Sequence, residues 1–189
     1  MNSLKILIND YNLSLKDNIL LENASLDIEF NKLILLGKNG TGKSTILNMI
    51  HQKKIKVSGS NKVSTSLASQ DHNLIKNYTV FDNVKTFGVN KENFYNDLKY
   101  FNKNILLSSK VNQLSGGQKQ LVNLLLSLNL DRELYLLDEP LNNIDKNIKE
   151  KLRGYLENTS KNIILVSHEE IYLPNYKKIM LKKRDFIYV

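Results

Sequence analysis

Residues 32–45 read KLILLGKNGTGKST, in which a run of aliphatic residues leads directly into a glycine-rich loop. The glycines, the second lysine and the serine of this loop satisfy the pattern GxxxxGK[ST], which is informative when it follows a strand and opens a helix. Glycines let backbone N–H groups turn toward a phosphate, and the helix that follows presents its positive end to the same oxygens. The stretch therefore predicts a strand, a phosphate-binding loop and a helix in succession, as in α/β folds with parallel strands.

Three side chains of this loop are expected to contact a nucleoside triphosphate in different ways. Lys43 should reach the β- and γ-phosphates, the Ser44 hydroxyl should ligate Mg²⁺, and Thr45 should support the α-phosphate. The alternative is a glycine turn that caps an ordinary helix, and the strand before the loop argues against it. The residues predicted to bind the nucleotide here are Gly37, Lys38, Asn39, Gly40, Thr41, Gly42, Lys43, Ser44 and Thr45.

A second apolar segment, LYLL at residues 134–137, ends in two carboxylates, Asp138 and Glu139. The carboxyl ends of strands face the ligand in open α/β sheets. Asp138 is suited to hold Mg²⁺ through water, and Glu139 is suited to orient and deprotonate an attacking water. Two acids at a strand end would ordinarily be solvated, and the glycine loop is what favours the catalytic interpretation.

A second glycine-containing helix start lies between these two segments. Residues 114–118 read LSGGQ, and the leucines that follow repeat at three- and four-residue spacing, which predicts an amphipathic helix from Gln118 to Leu128. Ser115, Gly117 and the exposed backbone amides are expected to form a small anion-binding nest at its N-terminus. The chain is therefore predicted to contain two helix ends suited to phosphate.

The order of these motifs, with LYLLDEP at residues 134–140 as the last, resembles the nucleotide-binding domain of an ATP-binding cassette (ABC) protein. LSGGQ is the signature of that family. The resemblance implies an ATPase that binds ATP and Mg²⁺, and it implies that two such domains pair head to tail. The signature of one domain would then close over the γ-phosphate bound by the other. The residues implied to act across this interface are Ser115, Gly116 and Gly117. Gln118, the next residue, is also predicted to belong to the nucleotide-binding site.

The same resemblance assigns further positions. Gln70, in LASQDHN, resembles the glutamine of the Q-loop, which senses Mg²⁺ and the attacking water. Asp145, in LNNID, resembles the nucleotide-binding aspartate of the D-loop, and His168, in LVSHE, resembles the switch histidine that contacts the γ-phosphate. The resulting catalytic set is Glu139, His168, Gln70 and Lys43, and the metal set is Ser44, Gln70 and Asp138.

One departure from the family pattern concerns the adenine ring. The place of the aromatic residue on which adenine usually stacks falls on Leu15, whereas Tyr11 lies four residues earlier. Adenine is therefore expected to rest on an aliphatic side chain, with the loss of about 1 kcal/mol of stacking.

The chain is expected to form one ABC ATPase domain, residues 1–189, of the α/β class: a P-loop NTPase core with an antiparallel β subdomain and an inserted α-helical subdomain. Residues 1–77 and 130–189 would form the ATP-binding core, and residues 78–129 would form the helical subdomain that carries the signature. Strands are predicted at Leu4 to Ile8, Ser25 to Phe30, Lys32 to Leu36, Ile55 to Ser58, Lys62 to Leu67, Leu134 to Leu137 and Asn162 to Val166, with a final hairpin at Lys177 to Val189. Helices are predicted at Lys43 to Gln52, Glu92 to Phe101, Gln118 to Leu128 and Lys146 to Glu157. A further helix is predicted to begin after Thr79, which would be its N-cap.

The composition bears on partners and location. The absence of cysteine excludes a disulfide framework and a cysteine-type zinc site. The formal net charge of +8 comes from 27 basic residues of which three are arginines, and the scattered lysines favour a solvated surface over a nucleic-acid site. Apolar runs fall far short of the ~20 residues that span a bilayer. The expected location is the cytoplasm, peripheral on the inner face of the cell membrane.

These features predict the ATP-binding and ATP-hydrolysing subunit of an ABC transporter, which dimerises around two Mg-ATP and drives a separate membrane permease. The small cassette slightly favours an exporter of a peptide or toxic compound. One alternative is a soluble ABC ATPase that is not coupled to transport, for example of the cluster-assembly type. Another, a P-loop kinase or GTPase, would not explain LSGGQ. The motifs leave open the cargo and whether the partner cassette is a second copy or a homologous chain.

Overall fold

The structure is a computed structural model that describes residues 3–16, 18–59, 63–70, 73–102 and 104–189. The strands are β1 (Leu4–Leu15), β2 (Asn18–Phe30), β3 (Lys32–Leu36), β4 (Val57–Ser58), β5 (Thr65–Ala68), β6 (Leu134–Asp138), β7 (Ile163–Ser167), β8 (Lys177–Lys182) and β9 (Asp185–Tyr188). The helices are α1 (Lys43–His51), α2 (Val80–Thr86), α3 (Lys91–Asn102), α4 (Gly116–Leu128) and α5 (Lys146–Asn158), with a 3₁₀ turn at Val111–Gln113 before α4.

The central sheet has the strand order β5-β6-β7-β3-β8-β9. Its strands run parallel except β9, which pairs with β8 in the predicted C-terminal hairpin. Its middle strands are buried along nearly their whole length, because hydrophobic clusters cover both faces of the sheet. Since β3, β6 and β7 are parallel, the glycine loop, the two carboxylates and His168 all follow strand ends at one edge of the sheet.

A second sheet, of order β2-β1-β4, is antiparallel. The β1–β2 hairpin extends well beyond the predicted strands, from Leu4 to Leu15 and back from Asn18. The sequence concealed this extension because the ladder between residues 8 and 24 is irregular and its polar residues break the alternation. Asn12 stabilises one irregularity, since its Oδ1 atom accepts a hydrogen bond of 2.8 Å from the backbone N–H of Asn23. The longer hairpin carries its tip to the glycine loop.

The segment between β5 and β6 is helical, as predicted. Thr79 is the N-cap of α2, where its hydroxyl accepts from the Asp82 N–H and the Asp82 carboxylate accepts from the Thr79 N–H. Residues of α2, α3 and α4 share one apolar cluster with the sheet and α5, so this part of the chain packs directly on the core. None of the helices in the described segments combines the length and the apolar character that a membrane span requires.

Outside the β1–β2 hairpin, three predicted boundaries are wrong by more than one residue. Helix α4 begins at Gly116 rather than Gln118, because Ser115 and Gln118 cap it reciprocally: each side chain accepts from the other residue's N–H. The strand predicted from Lys62, which lies outside the described residues, begins at Thr65. The strand predicted from Ile55 is limited to Val57–Ser58, the length that pairs with β1.

Candidate active site

The glycine loop forms a tight cradle at the start of α1. Gly40 and Gly42 have φ values of 78° and 99°, which side chains with a Cβ rarely adopt. Lys43 is only 4% exposed, and its Nζ atom donates to the carbonyl oxygens of Gly37 at 2.8 Å and Lys38 at 2.9 Å. Burial lowers the pKa of Lys43, while the carboxylates of Glu139 and Asp138 oppose this shift. The loop therefore holds a cationic group in its centre, on hydrogen bonds that phosphate oxygens can replace.

Ser44 and Asp138 bring two oxygen donors together beside the loop. The Ser44 hydroxyl donates a 3.0 Å hydrogen bond to Oδ1 of Asp138, which ends β6 and is 6% exposed. Mg²⁺ in phosphate-binding sites takes one or two protein oxygens and completes its shell with phosphate oxygens and water. The two residues fit a magnesium ion that arrives with a nucleotide.

Glu139 follows β6 and is held by two neighbouring side chains. Its Oε2 atom lies 3.0 Å from Nδ1 of His168, and the same oxygen accepts from the side-chain amide of Asn142. Glu139 is 9% exposed and adopts a φ of 49°, a left-handed conformation that costs a non-glycine residue about 1–3 kcal/mol. A buried carboxylate that is oriented by a histidine and an amide matches the geometry of a positioned general base.

These residues border one open cleft of about 560 Å³. Ten of the residues that line the cleft were predicted from the sequence to contact the nucleotide or the metal or to act in catalysis: Leu15, Asn39, Gly40, Gly42, Lys43, Ser44, Thr45, Gln70, Glu139 and His168. Gly37, Lys38 and Thr41 line a neighbouring cavity of about 550 Å³ that His168 also borders. Asp138 lies behind the cleft through its bond to Ser44.

The tip of the β1–β2 hairpin closes one end of the cleft. Leu15 is 55% exposed there, and the Leu20 side chain packs against the glycine loop, 3.1 Å from where a Cβ on Gly42 would stand. An aliphatic surface thus lies next to the glycine loop, where sequence reasoning assigned adenine contact to Leu15. Leu20 escaped notice because the extended hairpin was not predicted.

The signature pentapeptide, residues 114–118, does not line this cleft within the described part of the chain. A Cβ on Gly116 would meet nothing within 4 Å, whereas a Cβ on Gly117 would collide with the backbone carbonyl oxygen of Asn143. Asp145 is also outside the cleft and caps α5, since its Oδ1 accepts a 2.9 Å bond from the Asn147 N–H. The N-terminal end of α4 therefore packs on the loop before α5 and leaves one glycine open to solvent.

Sequence reasoning missed three residues whose side chains bond to Glu139 or to the segment around Gln70. Asn142 lies three residues after Glu139 in the same turn, so its proximity could have been inferred from the spacing. Gln120 and Asn123 lie on α4, where the Gln120 side chain donates to the carbonyl of Glu139 and the Asn123 side chain bonds to backbone groups of the Q-loop. Their positions among the leucines of α4 concealed them, because the helical period alone indicated only an apolar face.

A family of proteins described as ABC transporter matches residues 21–142, well over half of the chain. This match includes the glycine loop, the signature pentapeptide and both carboxylates of β6. His168 and Leu15, which border the same cleft, lie outside the matched range.

Similar proteins are named for ATP binding, and several of these names also mention import. The sulfate/thiosulfate import ATP-binding protein CysA of Mesostigma viride is 33% identical over 177 residues, which cover 79% of this chain and 51% of that protein. The Fe(3+) ions import ATP-binding protein FbpC of Fusobacterium nucleatum is 30% identical over 82% of this chain and 48% of its own length. The ATP-binding protein Uup of Buchnera aphidicola is 34% identical over 89% of this chain and 31% of its own length. The chain spans about half the length of the first two relatives.

Solved structures share the fold over nearly the whole chain. A Pyrococcus furiosus chain described as an ABC transporter ATP-binding protein superposes with a TM-score of 0.72 at 27% identity, covering 93% of this chain and 96% of that one. A nucleotide-free ATP-binding cassette from an ABC transporter gives a TM-score of 0.74 over 99% of this chain and 90% of its own, at 16% identity. These superpositions confirm the predicted α/β cassette fold.

Proposed function

The chain belongs to the ABC transporter family, and we propose that it is the subunit that binds and hydrolyses ATP to drive a separate membrane permease. One observation carries the proposal: Lys43, Ser44, Glu139 and His168, which lie far apart in the sequence, border a single cleft. Residues 1–77 and 130–189 would form the ATP-binding core, and residues 78–129 the helical subdomain, in one ATPase domain of residues 1–189.

The glycine loop and Lys43 would bind the triphosphate. Backbone N–H groups of the loop and the first turn of α1 present partial positive charge to the phosphates. The ammonium of Lys43 would exchange its bonds to the carbonyls of Gly37 and Lys38 for the β- and γ-phosphate oxygens. Because its partners are carbonyls of the same loop, this exchange needs little movement of α1.

Ser44 and Asp138 would hold Mg²⁺, with Gln70 at the border of the cleft as a further oxygen donor. When bound, Mg²⁺ would neutralise charge on the β- and γ-phosphates. The hydroxyl oxygen of Ser44 would direct its lone pairs to the metal while its O–H group keeps donating its hydrogen bond to Asp138. This use of the Ser44 proton explains why a serine or threonine suits the position.

Glu139 would act as the general base. Its carboxylate would take a proton from water as the water oxygen bonds to the γ-phosphorus, while the bond from that phosphorus to the β–γ bridging oxygen breaks and ADP departs. His168 and Asn142 hold the carboxylate in one orientation. His168 would also contact the γ-phosphate, because its ring borders the cleft with 28% of its side chain exposed.

A second cassette would complete each site. The open face at Gly116 and the position of the signature outside its own cleft support a head-to-tail dimer around two Mg-ATP. Ser115, Gly116 and Gly117, followed by Gln118, would contact the γ-phosphate held by the partner, and Asp145 would lie near the same interface. In the cap the Ser115 oxygen accepts from the Gln118 N–H at 3.3 Å, so this bond does not use the hydroxyl proton that would be donated to an anion.

The permease would contact the surface around a cavity of about 190 Å³ between α1, β5 and the helical segment. This cavity is lined by residues that include His51, Leu74, Phe87 and Leu130. Phe87, at the C-terminal end of α2, is 37% exposed, and Leu74 follows the Q-loop, which also borders the nucleotide cleft. A permease segment seated there would therefore touch the loop that carries Gln70. The subunit would sit on the cytoplasmic face of the membrane through this contact.

Import is the better-supported direction of transport. Relatives at 33% and 30% identity are named for the import of sulfate or thiosulfate and of Fe(3+) ions. The expectation of a peptide or toxic-compound exporter finds no support in these names. The similarity to Uup, whose name mentions ATP binding alone, favours as a second candidate an ABC ATPase that is not coupled to transport.

Two measurements on the purified chain test this proposal. Phosphate release from ATP should require Mg²⁺, and the activity per chain should rise with protein concentration, since each site needs two chains. Activity per chain that is constant across dilution would overturn the shared-site dimer. Affinity purification from solubilised membranes should recover an integral membrane protein, whereas recovery of soluble partners alone would favour the uncoupled candidate.

A further inference from the structure

The backbone of Glu139 adopts a conformation that its own sequence does not favour. Its φ is 49°, and it precedes Pro140, a position where extended conformations are preferred. A non-glycine residue keeps such a conformation only when surrounding contacts over-determine it. The contacts of the Glu139 peptide groups therefore fix its backbone and, with it, the direction of its carboxylate.

Three contacts hold these peptide groups. The N–H of Glu139 donates to the carbonyl of Val166 in β7 at 3.1 Å. Its carbonyl oxygen accepts from the N–H of Asn142 at 3.1 Å and from Nε2 of Gln120 at 2.8 Å. The first contact continues the sheet and the second closes a local turn. The third comes from the signature helix, across 19 residues of sequence.

Gln120 belongs to a face of α4 that touches several catalytic loops. Asn123 lies three residues further along this face, donates to the carbonyl of Ser69 at 3.0 Å and accepts from the N–H of Asn73 at 3.3 Å. Ser69 and Asn73 lie on either side of Gln70 in the sequence, so Asn123 links the Q-loop to α4 by hydrogen bonds. Gly117, three residues before Gln120, packs against Asn143. Residues at this spacing share one side of a helix.

We propose that Gln120 is a positioning residue for hydrolysis: its buried amide fixes the carbonyl of Glu139 and so aims the carboxylate at the attacking water. Gln120 is 9% exposed and reaches no phosphate, since it does not line the nucleotide cleft within the described residues. Through this bond, a shift of α4 when the signature engages the partner cassette moves the backbone of the general base in the same chain. The inference rests on the proposed ATPase function and specifies how one of its sites is regulated.

The test compares two variants that each lose a side-chain amide, one within α4 and one at its C-cap. Gln120→Met has nearly the shape of glutamine but donates no hydrogen bond to Glu139. Asn129→Leu is the control, because Asn129, the C-cap residue after the helix, donates to the carbonyl of Leu125 at 3.0 Å and to the carboxylate of Asp97 at 2.8 Å but does not contact Glu139. Both full-length variants are compared with the unmodified chain for ATP binding, steady-state hydrolysis and thermal unfolding.

The positioning role predicts that Gln120→Met lowers kcat about 10- to 100-fold, because a small misplacement of a reacting group has a large effect on rate. The KM for ATP should change less than about two-fold, since the triphosphate contacts are intact. Combined with Glu139→Gln, Gln120→Met should lower the rate no further, because both changes act through the same carboxylate. Asn129→Leu should retain the kcat of the unmodified chain.

Several results would overturn the inference. These are an unchanged kcat in Gln120→Met, an equal loss in Asn129→Leu, or rate losses that multiply in the double variant. If Gln120→Met does not fold, Gln120→Asn retains a polar amide that is one methylene too short and takes its place in the comparison. An unmodified chain that neither binds nor hydrolyses ATP would refute the proposed function, whereas active protein with a fully active Gln120→Met variant would refute the positioning role alone.

Discussion

Nδ1 of His168 lies 3.0 Å from Oε2 of Glu139, and the two residues follow the neighbouring parallel strands β7 and β6. Strand pairing places Asp138 beside Val166. Glu139 and His168, which come shortly after these two residues, therefore lie at the same edge of the sheet. In the proposed mechanism the histidine would thus contact the γ-phosphate and the base together.

Glu139→Gln should remove the general base while leaving the shape of the cleft unchanged. We expect phosphate release to fall about 10²- to 10⁴-fold, with ATP binding retained. A dimer should accumulate at saturating Mg-ATP, because the bound nucleotide is no longer hydrolysed. Light scattering after size-exclusion chromatography measures the dimer, and a variant that stays monomeric at saturating ATP would contradict a nucleotide-bridged assembly.

His168→Ala should lower kcat with little effect on stability, because 28% of the side chain is exposed and its main contact is the carboxylate of Glu139. We expect a loss of about 10²-fold, within the range for a group that orients a catalytic base. Tyr172→Ala is the control, since Tyr172 lies four residues away and is 82% exposed. Equal activity of the two variants would remove His168 from the mechanism.

The two signature glycines should respond differently to alanine. Gly117→Ala should lower the free energy of unfolding by about 1–3 kcal/mol, because its Cβ would collide with the carbonyl of Asn143. Gly116→Ala has open space and should leave that free energy unchanged or slightly raised. It should nevertheless weaken ATP-driven dimerisation, since the partner's nucleotide approaches there.

Urea unfolding without nucleotide, together with dimer formation with Mg-ATP, separates these two effects. A destabilised Gly116→Ala chain, or a Gly117→Ala chain as stable as the unmodified protein, would show that the contacts around α4 are wrongly assigned.

Removing the Ser44 hydroxyl should raise the Mg²⁺ requirement. Ser44→Ala loses both the proposed metal ligand and the bond to Asp138, so we expect the Mg²⁺ concentration for half-maximal activity to rise about 10- to 100-fold. Ser44→Thr keeps a hydroxyl at the same place and should restore the unmodified requirement. Titration of Mg²⁺ into protein stripped with EDTA measures this, and identical curves for all three chains would exclude Ser44 as a ligand.

Stability at alkaline pH should depend on Tyr155, which lies in α5 with its ring 5.7 Å from that of Phe101 in α3. Burial raises the pKa of Tyr155 to about 12 from its ordinary value near 10. The folded state therefore favours the neutral phenol, and the stability this contributes is complete below pH 10 and is lost as the pH rises through 12.

Tyr155→Phe keeps the ring contact but has no group that ionises. Below about pH 10, the free energy of unfolding of the variant should differ from that of the unmodified chain by a constant amount. Above about pH 10, it should fall less steeply with pH than that of the unmodified chain. Urea unfolding at successive pH values makes the comparison, and parallel curves up to pH 12 would show that Tyr155 is not shielded from water.

Prediction from sequence succeeded where local chemistry determines structure. The aliphatic runs of β3, β6 and β7 and the glycines of the loop each specify their own conformation, and Thr79 and Asp82 specify the cap of α2. It was incomplete in the β1–β2 hairpin, where irregular pairing near Asn12 and Asn23 hides the period of two. It also missed Leu20 and Asn142, whose roles depend on what packs beside them.

The sequence by itself determined the loop, the two carboxylates, the signature and the histidine, because each is a short pattern whose chemistry follows from residue type and spacing. The tertiary structure alone decided which atoms meet: Gln120 with the carbonyl of Glu139, Asn123 with both ends of the Q-loop, and Gly117 with Asn143. These contacts join segments that are distant along the chain, and no local pattern encodes a distance between them. Helix α4 connects them because the packing of the fold places one of its faces against all three loops.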